Sequence, residues 1–191
     1  MRKGRMEAFS DGVIAILITI MVLQLTVPRS AELVSLLPLA PILLSYVLSF
    51  IYLAIYWNNH HHLLQAVERV DGRVLWANMH LLFWLSLVPF ATAWMGANPA
   101  APWPAALYGA VLLFAAIAYY LLTRALIALH GRDSVLAAAV GRDFKGVISV
   151  VIYLIAILLA FVSAWLADGL YVLVAILWLI PDRRIEKYMV R

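Results

Sequence analysis

The chain lacks cysteine and has few charged residues. None of its 191 residues is a cysteine, which excludes disulfides and thiolate metal sites but leaves the redox compartment open. Charged residues make up 13% of the sequence, against about 25% in an average soluble domain. Hydrophobic residues make up 66%, and the mean hydropathy is +0.97. This composition predicts an all-α integral membrane protein with little room for a soluble domain.

Charged and Pro/Gly-rich breaks divide the apolar sequence into six predicted helices. Pro89 predicts a kink in the third, and the Ala-rich middle of the link 130–145 is compatible with a short surface helix. Asp168-Gly169 is predicted to turn the chain into a last helix whose apolar run is short, so we expect an amphipathic continuation through Pro181–Tyr188 or a slanted helix. The predicted spans, within one domain covering residues 1–191, are about 7–27, 38–65 (from Pro38 or Pro41), 72–94, 103–129, 146–167 and 170–180.

The basic residues orient these spans. Of the 14 Lys and Arg residues, all but Arg29 fall on the side of the N-terminus if six spans alternate across a membrane. The positive-inside rule therefore places both termini in the cytoplasm. A one-sided collar of basic residues also accounts for the net charge of +4, so we predict no nucleic-acid partner.

With this orientation, the first three predicted helices bring polar residues to one depth near the cytoplasmic side. An ionisable side chain in a bilayer is costly unless it is paired or hydrated, and it marks a functional site by default. Buried polar groups must be satisfied internally, which predicts a hydrogen-bonded cluster. Its predicted members are Arg5, Ser10, Asp11, Trp57, His61 and Asn78. Such a cluster would pin the helices together, and that structural role is compatible with a channel.

Three consecutive histidines, His60-His61-His62, raise the question of a metal site. Neighbouring residues on a helix point about 100° apart, so at most two of these side chains can face a common point. Further ligands would have to come from elsewhere in a chain without cysteine, and we predict no metal site.

The first predicted helix carries an apolar stripe. Ile16, Ile20 and Leu23 share a narrow face, with Thr19 beside them. Ordinary packing is the commoner explanation of such a stripe. In a symmetric assembly, however, the same positions would form stacked hydrophobic rings that resist the dehydration of ions.

Four segments together resemble one known family. The first is Arg5-Met6-Glu7-Ala8-Phe9-Ser10-Asp11, which fits R-x-x-x-F-S-D, and the others are Tyr56-Trp57-x-x-His60-His61, Leu75-Trp76-Ala77-Asn78 and Ser86-Leu87-Val88-Pro89-Phe90-Ala91-Thr92. In order and spacing they are similar to the transmembrane-protein-175 family of potassium channels, over about the first half of the chain. Ile14 stands where we would expect Phe in many relatives.

The resemblance implies a channel that is not an enzyme and conducts passively. By this resemblance, four copies form a homotetramer in the plasma (inner) membrane of a prokaryote, permeable to K⁺ and other monovalent cations with weak selectivity and no cofactor. The pore would be lined by the first helix, with constriction layers at Ile16, Ile20 and Leu23 and a selectivity layer at Thr19. The structural polar network would comprise Arg5, Phe9, Ser10, Asp11, Trp57, His61 and Asn78. The chain has no T-V-G-Y-G sequence for a carbonyl-lined filter.

Two other classes of function compete with this prediction. A proton- or cation-coupled secondary transporter would use Asp11 and His61 as a proton relay, although the paired broken helices and inverted halves of such proteins are not evident. An intramembrane enzyme would need a nucleophile or metal constellation, and none with suitable spacing is found.

Overall fold

The chain forms an all-helical bundle in a computed structural model that describes residues 3–131, 133–141 and 143–179. Within these residues the elements are α1 (Gly4–Leu23), a 3₁₀ helix (Leu33–Leu39), α2 (Ala40–Gln65), α3 (Gly72–Ser86), α4 (Val88–Ala97), α5 (Pro102–His130), α6 (Val135–Val140), α7 (Phe144–Ala160) and α8 (Ala164–Leu179).

Among the described residues, four helical stretches are long and apolar enough to cross a membrane. They are Gly4–Leu23, Leu33–Gln65, Gly72–Ala97 and Pro102–His130. Helices α7 and α8 are equally apolar but shorter, with 17 and 16 residues. The prediction of an all-α, multi-pass membrane protein is therefore confirmed.

The third predicted helix is interrupted near its centre. Helix α3 ends at Ser86 and α4 begins at Val88, with Pro89 in its first turn. Proline has no amide hydrogen and its ring clashes with the preceding turn, so a continuous helix cannot pass through this position without distortion. The predicted kink is thus a short break. The 130–145 link, for which the sequence left a helix open, contains the short helix α6.

The predicted boundary between the last two helices is wrong. The chain turns at Phe161–Ser163, where the amides of Phe161 and Val162 donate to the Leu158 and Leu159 carbonyls at 3.3 and 2.9 Å. Asp168 and Gly169 lie inside α8. Buried residues recur every three or four positions across them, and this packing outweighs the turn preference of Asp-Gly. Those buried residues are Ala164, Ala167, Tyr171, Val174 and Ala175. The expected continuation through Pro181–Tyr188 lies outside the described residues.

Helix α5 lies at the centre of the bundle, and its main neighbours are α3, α4, α7 and α8. Helix α1 packs mainly against α2, α3 and α4, whereas α7 packs mainly against α5 and α8. The pair α7–α8 and helix α1 therefore have different principal neighbours.

Buried hydroxyl groups join the helices inside the bundle. The Thr92 hydroxyl donates to Ser49 at 2.7 Å, and the Ser49 and Tyr108 hydroxyls lie 2.9 Å apart. The Tyr52 hydroxyl donates to the Tyr171 carbonyl at 2.6 Å. In a membrane each buried polar group needs such an internal partner. These contacts connect α2, α4, α5 and α8, and the sequence analysis did not predict them.

Candidate pore helix and polar layer

Helix α1 has one buried face and one exposed face. The buried residues recur at intervals of three or four and pack into the bundle: Met6, Ser10, Ile14, Leu17 and Met21. The stripe predicted to line a pore lies away from this face. Ile16, Ile20 and Leu23 are 57%, 40% and 82% exposed in the single chain. An amphipathic helix normally buries its apolar stripe in the core of its own chain. Here a second apolar stripe is exposed in the single chain and is free to contact lipid, a pore or another copy.

The stripe also carries a hydroxyl group. Thr19 is exposed beside Ile16, and its hydroxyl donates to the Ile16 carbonyl at 2.8 Å. Because the hydroxyl hydrogen is used within the helix, lone pairs of the oxygen remain available as acceptors. Thr19 can therefore present an oxygen ligand, but no donor, to a passing cation.

A chain of hydrogen bonds, starting on the buried face of α1, connects α1, α3 and α2. The Ser10 hydroxyl donates to the Met6 carbonyl at 2.8 Å, so its oxygen accepts from Asn78 Nδ2 at 2.9 Å. The Asn78 oxygen then faces His60 Nε2 at 2.8 Å and must accept its hydrogen. All three side chains are fully buried. These hydrogen bonds fix the side-chain orientation of Asn78 and require a hydrogen on His60 Nε2, while His60 Nδ1 has no hydrogen-bond partner among the described residues.

A second polar cluster lies at the exposed edge between α1 and α2. Trp57 Nε1–H donates to Asp11 Oδ1 at 3.0 Å, and the Trp57 ring stacks on His61 with centroids 5.8 Å apart. His61 Nδ1 lies 3.6 Å from Glu7 Oε1, and its Nε2 is hydrogen-bonded to Gln65 at 2.7 Å. This cluster connects one edge of α1 to α2, and its side chains are partly or fully exposed in the single chain.

Arg5 and Phe9 do not join either cluster. Both are exposed, and Arg5 has no side-chain hydrogen bond or ion pair with the residues that the structure describes. Arg5 and Asp11 are six positions apart on α1, so their side chains point about 120° apart. Arg5 lies on the face of α1 that carries Ile16, near the N-terminal end of the helix.

A different basic residue, Lys3, anchors α1 and lies immediately before the helix begins. Lys3 Nζ donates to the Leu64 carbonyl at 2.5 Å, at the C-terminal end of α2. A cation there satisfies a free carbonyl and complements the partial negative charge of the helix end. The N-terminus of α1 is therefore fixed to the end of α2.

The predicted polar cluster included His61 and omitted His60, which the structure places in the buried hydrogen-bond chain. It lies seven positions after Leu53 and four before Leu64, and both leucines are fully buried. This spacing places it on the core face of α2. The sequence thus contained a signal for His60. Within the described residues no group of three His, Asp or Glu side chains is placed to hold a metal ion.

The fold and the polar contacts of α1 define a multi-pass helical membrane protein. Its first helix packs against its neighbours on one face and is exposed on the other. A family model described as "Endosomal/lysosomal potassium channel TMEM175" matches residues 5–89. A protein from a Chryseobacterium species, named as a potassium channel, is 54% identical over 187 residues, covering 98% of this chain and 97% of that protein. A Chamaesiphon minutus protein with the same kind of name is 35% identical over 190 residues, covering 91% of each.

A solved structure extends the similarity to three dimensions. The crystal structure of a lysosomal potassium-selective channel TMEM175 homolog from Chamaesiphon minutus superposes with a TM-score of 0.79 at 32% identity, covering 93% of this chain and 96% of that chain. The chain belongs to the TMEM175 family of potassium channels. Its membership confirms the family predicted from four short segments, and with it the prediction that the chain is not an enzyme.

Proposed function

We propose that the chain is a potassium-permeable, weakly selective cation channel in which the first helices of four copies surround the pore. The observation that carries this proposal is the free apolar face of α1. One helix cannot enclose a conduction path, so a pore along this face requires several copies around an axis. The similarity to proteins named as potassium channels supports K⁺ as the permeating ion. We further propose passive conduction without a cofactor, in the plasma membrane of a prokaryote.

The stripe on α1 would supply the constriction. Rings of Ile16, Ile20 and Leu23 would oppose the passage of hydrated ions, because apolar walls offer no replacement for lost water ligands. Thr19 would face the same path with its hydroxyl oxygen, which supports a role in cation preference. The Ser10–Asn78–His60 chain, on the opposite side of the helix, would hold the rings in register.

Substitution of Ile16 by Asn tests the pore assignment. Ile16→Asn should wet the constriction and change both the single-channel conductance and the K⁺/Na⁺ permeability ratio in planar bilayers. Val22→Asn is the matched control, because Val22 is also exposed on α1, at 45%, but points about 120° away from Ile16. Equal conductance and equal ion preference in Ile16→Asn and the parent would exclude Ile16 as the constriction.

A coupled transporter is the second candidate, favoured by the contact of His61 with Glu7 beside Asp11. Liposome flux separates the two functions. A channel should pass K⁺ down its gradient at equal pH on both sides, and Asp11→Asn should leave this passive flux measurable. K⁺ movement that requires a proton gradient and disappears in Asp11→Asn would instead support the transporter.

A further inference from the structure

A cavity at the cytoplasmic end of the bundle lies apart from the α1 stripe. Its volume is about 260 Å³, and it is bounded by α2, α5, α7 and α8. Asn59, Gly146 and Trp178 line it, each near the end of its helix that the basic residues place in the cytoplasm, and Tyr119 of α5 contacts Asn59 there. An engineered apolar cavity of about 150 Å³ binds benzene, so this larger space has room for a length of hydrocarbon.

Several polar groups of the lining already have hydrogen-bond partners within the bundle. The Tyr119 hydroxyl donates to the Asn59 carbonyl at 3.2 Å, and the Asn59 side chain donates to the Ile55 carbonyl at 2.9 Å. Trp178 Nε1–H donates to the Ser149 hydroxyl at 2.9 Å, which itself donates to the Lys145 carbonyl at 2.7 Å. The surface of the lining is predominantly apolar, which favours a hydrocarbon chain over water.

The cavity leads to a charged space at the membrane surface. A second cavity of about 400 Å³ shares Tyr120, Asp143 and Val147 with the first and adds Thr123 and Arg124. Val147 is 64% exposed, so the shared boundary opens to the outside of the bundle. Asp143 accepts from the Gly146 amide at 2.9 Å as the N-cap of α7, and among the described residues Arg124 forms no ion pair with it.

We propose that a phospholipid of the cytoplasmic leaflet binds here, with an acyl chain in the first cavity and a zwitterionic ethanolamine head group in the second. The phosphate would accept from Arg124, and the ammonium group would donate to Asp143. Basic pockets between membrane helices on the cytoplasmic side are typical sites for lipid head groups. Among the described lining residues, the charged groups are the Asp143 carboxylate and the Arg124 guanidinium, and one group of each sign favours a zwitterion over a purely anionic head group. The inference depends on the membrane topology and not on ion conduction.

Mass spectrometry of co-purified lipids tests the acyl-chain site. The parent is reconstituted in vesicles of equal amounts of phosphatidylethanolamine and phosphatidylglycerol, extracted in detergent and analysed as the intact assembly. We expect one phosphatidylethanolamine retained per chain. Ala116→Phe fills the first cavity and should abolish retention, whereas Ala128→Phe, exposed on the same helix, should not. Retention by Ala116→Phe equal to that of Ala128→Phe, or no bound lipid in the parent, would overturn the proposal.

A second pair of variants guards against a folding defect in Ala116→Phe. Val147→Trp should block the entrance from an exposed position and also abolish retention. Val172→Trp, at a 44% exposed position of α8 outside both linings, should bind lipid like the parent. Lipid bound equally by Val147→Trp and the parent would contradict the proposed entrance.

The head-group site has its own test. Arg124→Gln should weaken phosphatidylethanolamine retention about tenfold, the effect of losing one charge-assisted hydrogen bond. Arg73→Gln removes an equal charge at the start of α3, away from both cavities, and should leave retention unchanged. Preferential retention of phosphatidylglycerol by the parent would refute the zwitterionic head group.

Discussion

Two adjacent histidines, His60 and His61, illustrate how strongly position controls the role of a side chain. His60 is 1% exposed and ends a buried hydrogen-bond chain, whereas His61 stacks on Trp57 at the open edge between α1 and α2. The two side chains point about 100° apart, so one faces the core and the other the edge. His60 is therefore the histidine on which the geometry of α1 depends most.

We predict that His60→Leu destabilises the folded assembly by about 1–3 kcal/mol, because the Asn78 oxygen would be left buried without a donor. His60→Gln should recover part of the loss, since its amide can donate. His61→Leu should cost less than about 1 kcal/mol, because its contacts are partly exposed. Thermal unfolding in detergent measures all three. Equal destabilisation by His60→Leu and His61→Leu would show that the buried hydrogen-bond chain contributes no more to stability than the contacts of His61.

At Thr19 the expected effect is on ion preference and not on stability. Thr19→Val retains the shape of the side chain but removes the oxygen that would face the ions, so the K⁺/Na⁺ permeability ratio should change while the unfolding temperature stays within error. Thr26→Val, just beyond the end of α1, is the control for loss of an exposed hydroxyl. Unchanged ion preference in Thr19→Val would remove Thr19 from the proposed pore.

At the scale of whole elements, two glycines on different helices have opposite environments. A Cβ at Gly109 on α5 would overlap the Tyr171 hydroxyl and lie 2.9 Å from Ile157 Cγ1. A Cβ at Gly169 on α8 would have no atom within 4 Å. The first glycine permits close packing of α5 against α7 and α8, and the second makes no such contact in the single chain.

Alanine substitution at these two positions should therefore have opposite effects. Gly109→Ala should destabilise the bundle by about 1–3 kcal/mol through overpacking. Gly169→Ala should stabilise α8 by about 0.5–1 kcal/mol, the difference in helix propensity between the two residues. The unfolding temperature of each variant in detergent checks the prediction. A destabilising Gly169→Ala would indicate that another copy or element covers this side of α8.

The sequence predicted elements better than it predicted helical register and connections. Long apolar runs located the first four spans, since hydrophobic length alone identifies a membrane helix. The predicted boundary at Asp168-Gly169 was wrong because local turn preference carries no information about the packing of Ala167 and Tyr171. The omission of His60 is different, because its spacing from the buried Leu53 and Leu64 was a signal within the sequence. Contacts between distant helices, such as Ser49 with Tyr108, have no local signal.

At the scale of the whole molecule, the free face of α1 predicts an assembly. Native mass spectrometry in detergent should show four copies, because the proposed pore needs several α1 helices around one axis. Ile14→Asn, which buries an amide in the core face of α1, should reduce the yield of that assembly far more than Ile16→Asn. A stable monomer that conducts K⁺ would contradict the pore model.

The unequal lengths of α5 and α7 have a consequence for the surrounding lipid. Helix α7 has 17 residues between its Asp143 cap and Ala160, so it spans about 26 Å, less than the roughly 30 Å of a typical hydrocarbon core. Helix α5, with 29 residues, spans about 44 Å and exceeds it. Local thinning of a bilayer along α7 and a lean of α5 would therefore reduce the hydrophobic mismatch. Thinning would draw lipid phosphates toward the bilayer midplane beside Val147, so we expect this side of the protein to respond to membrane thickness.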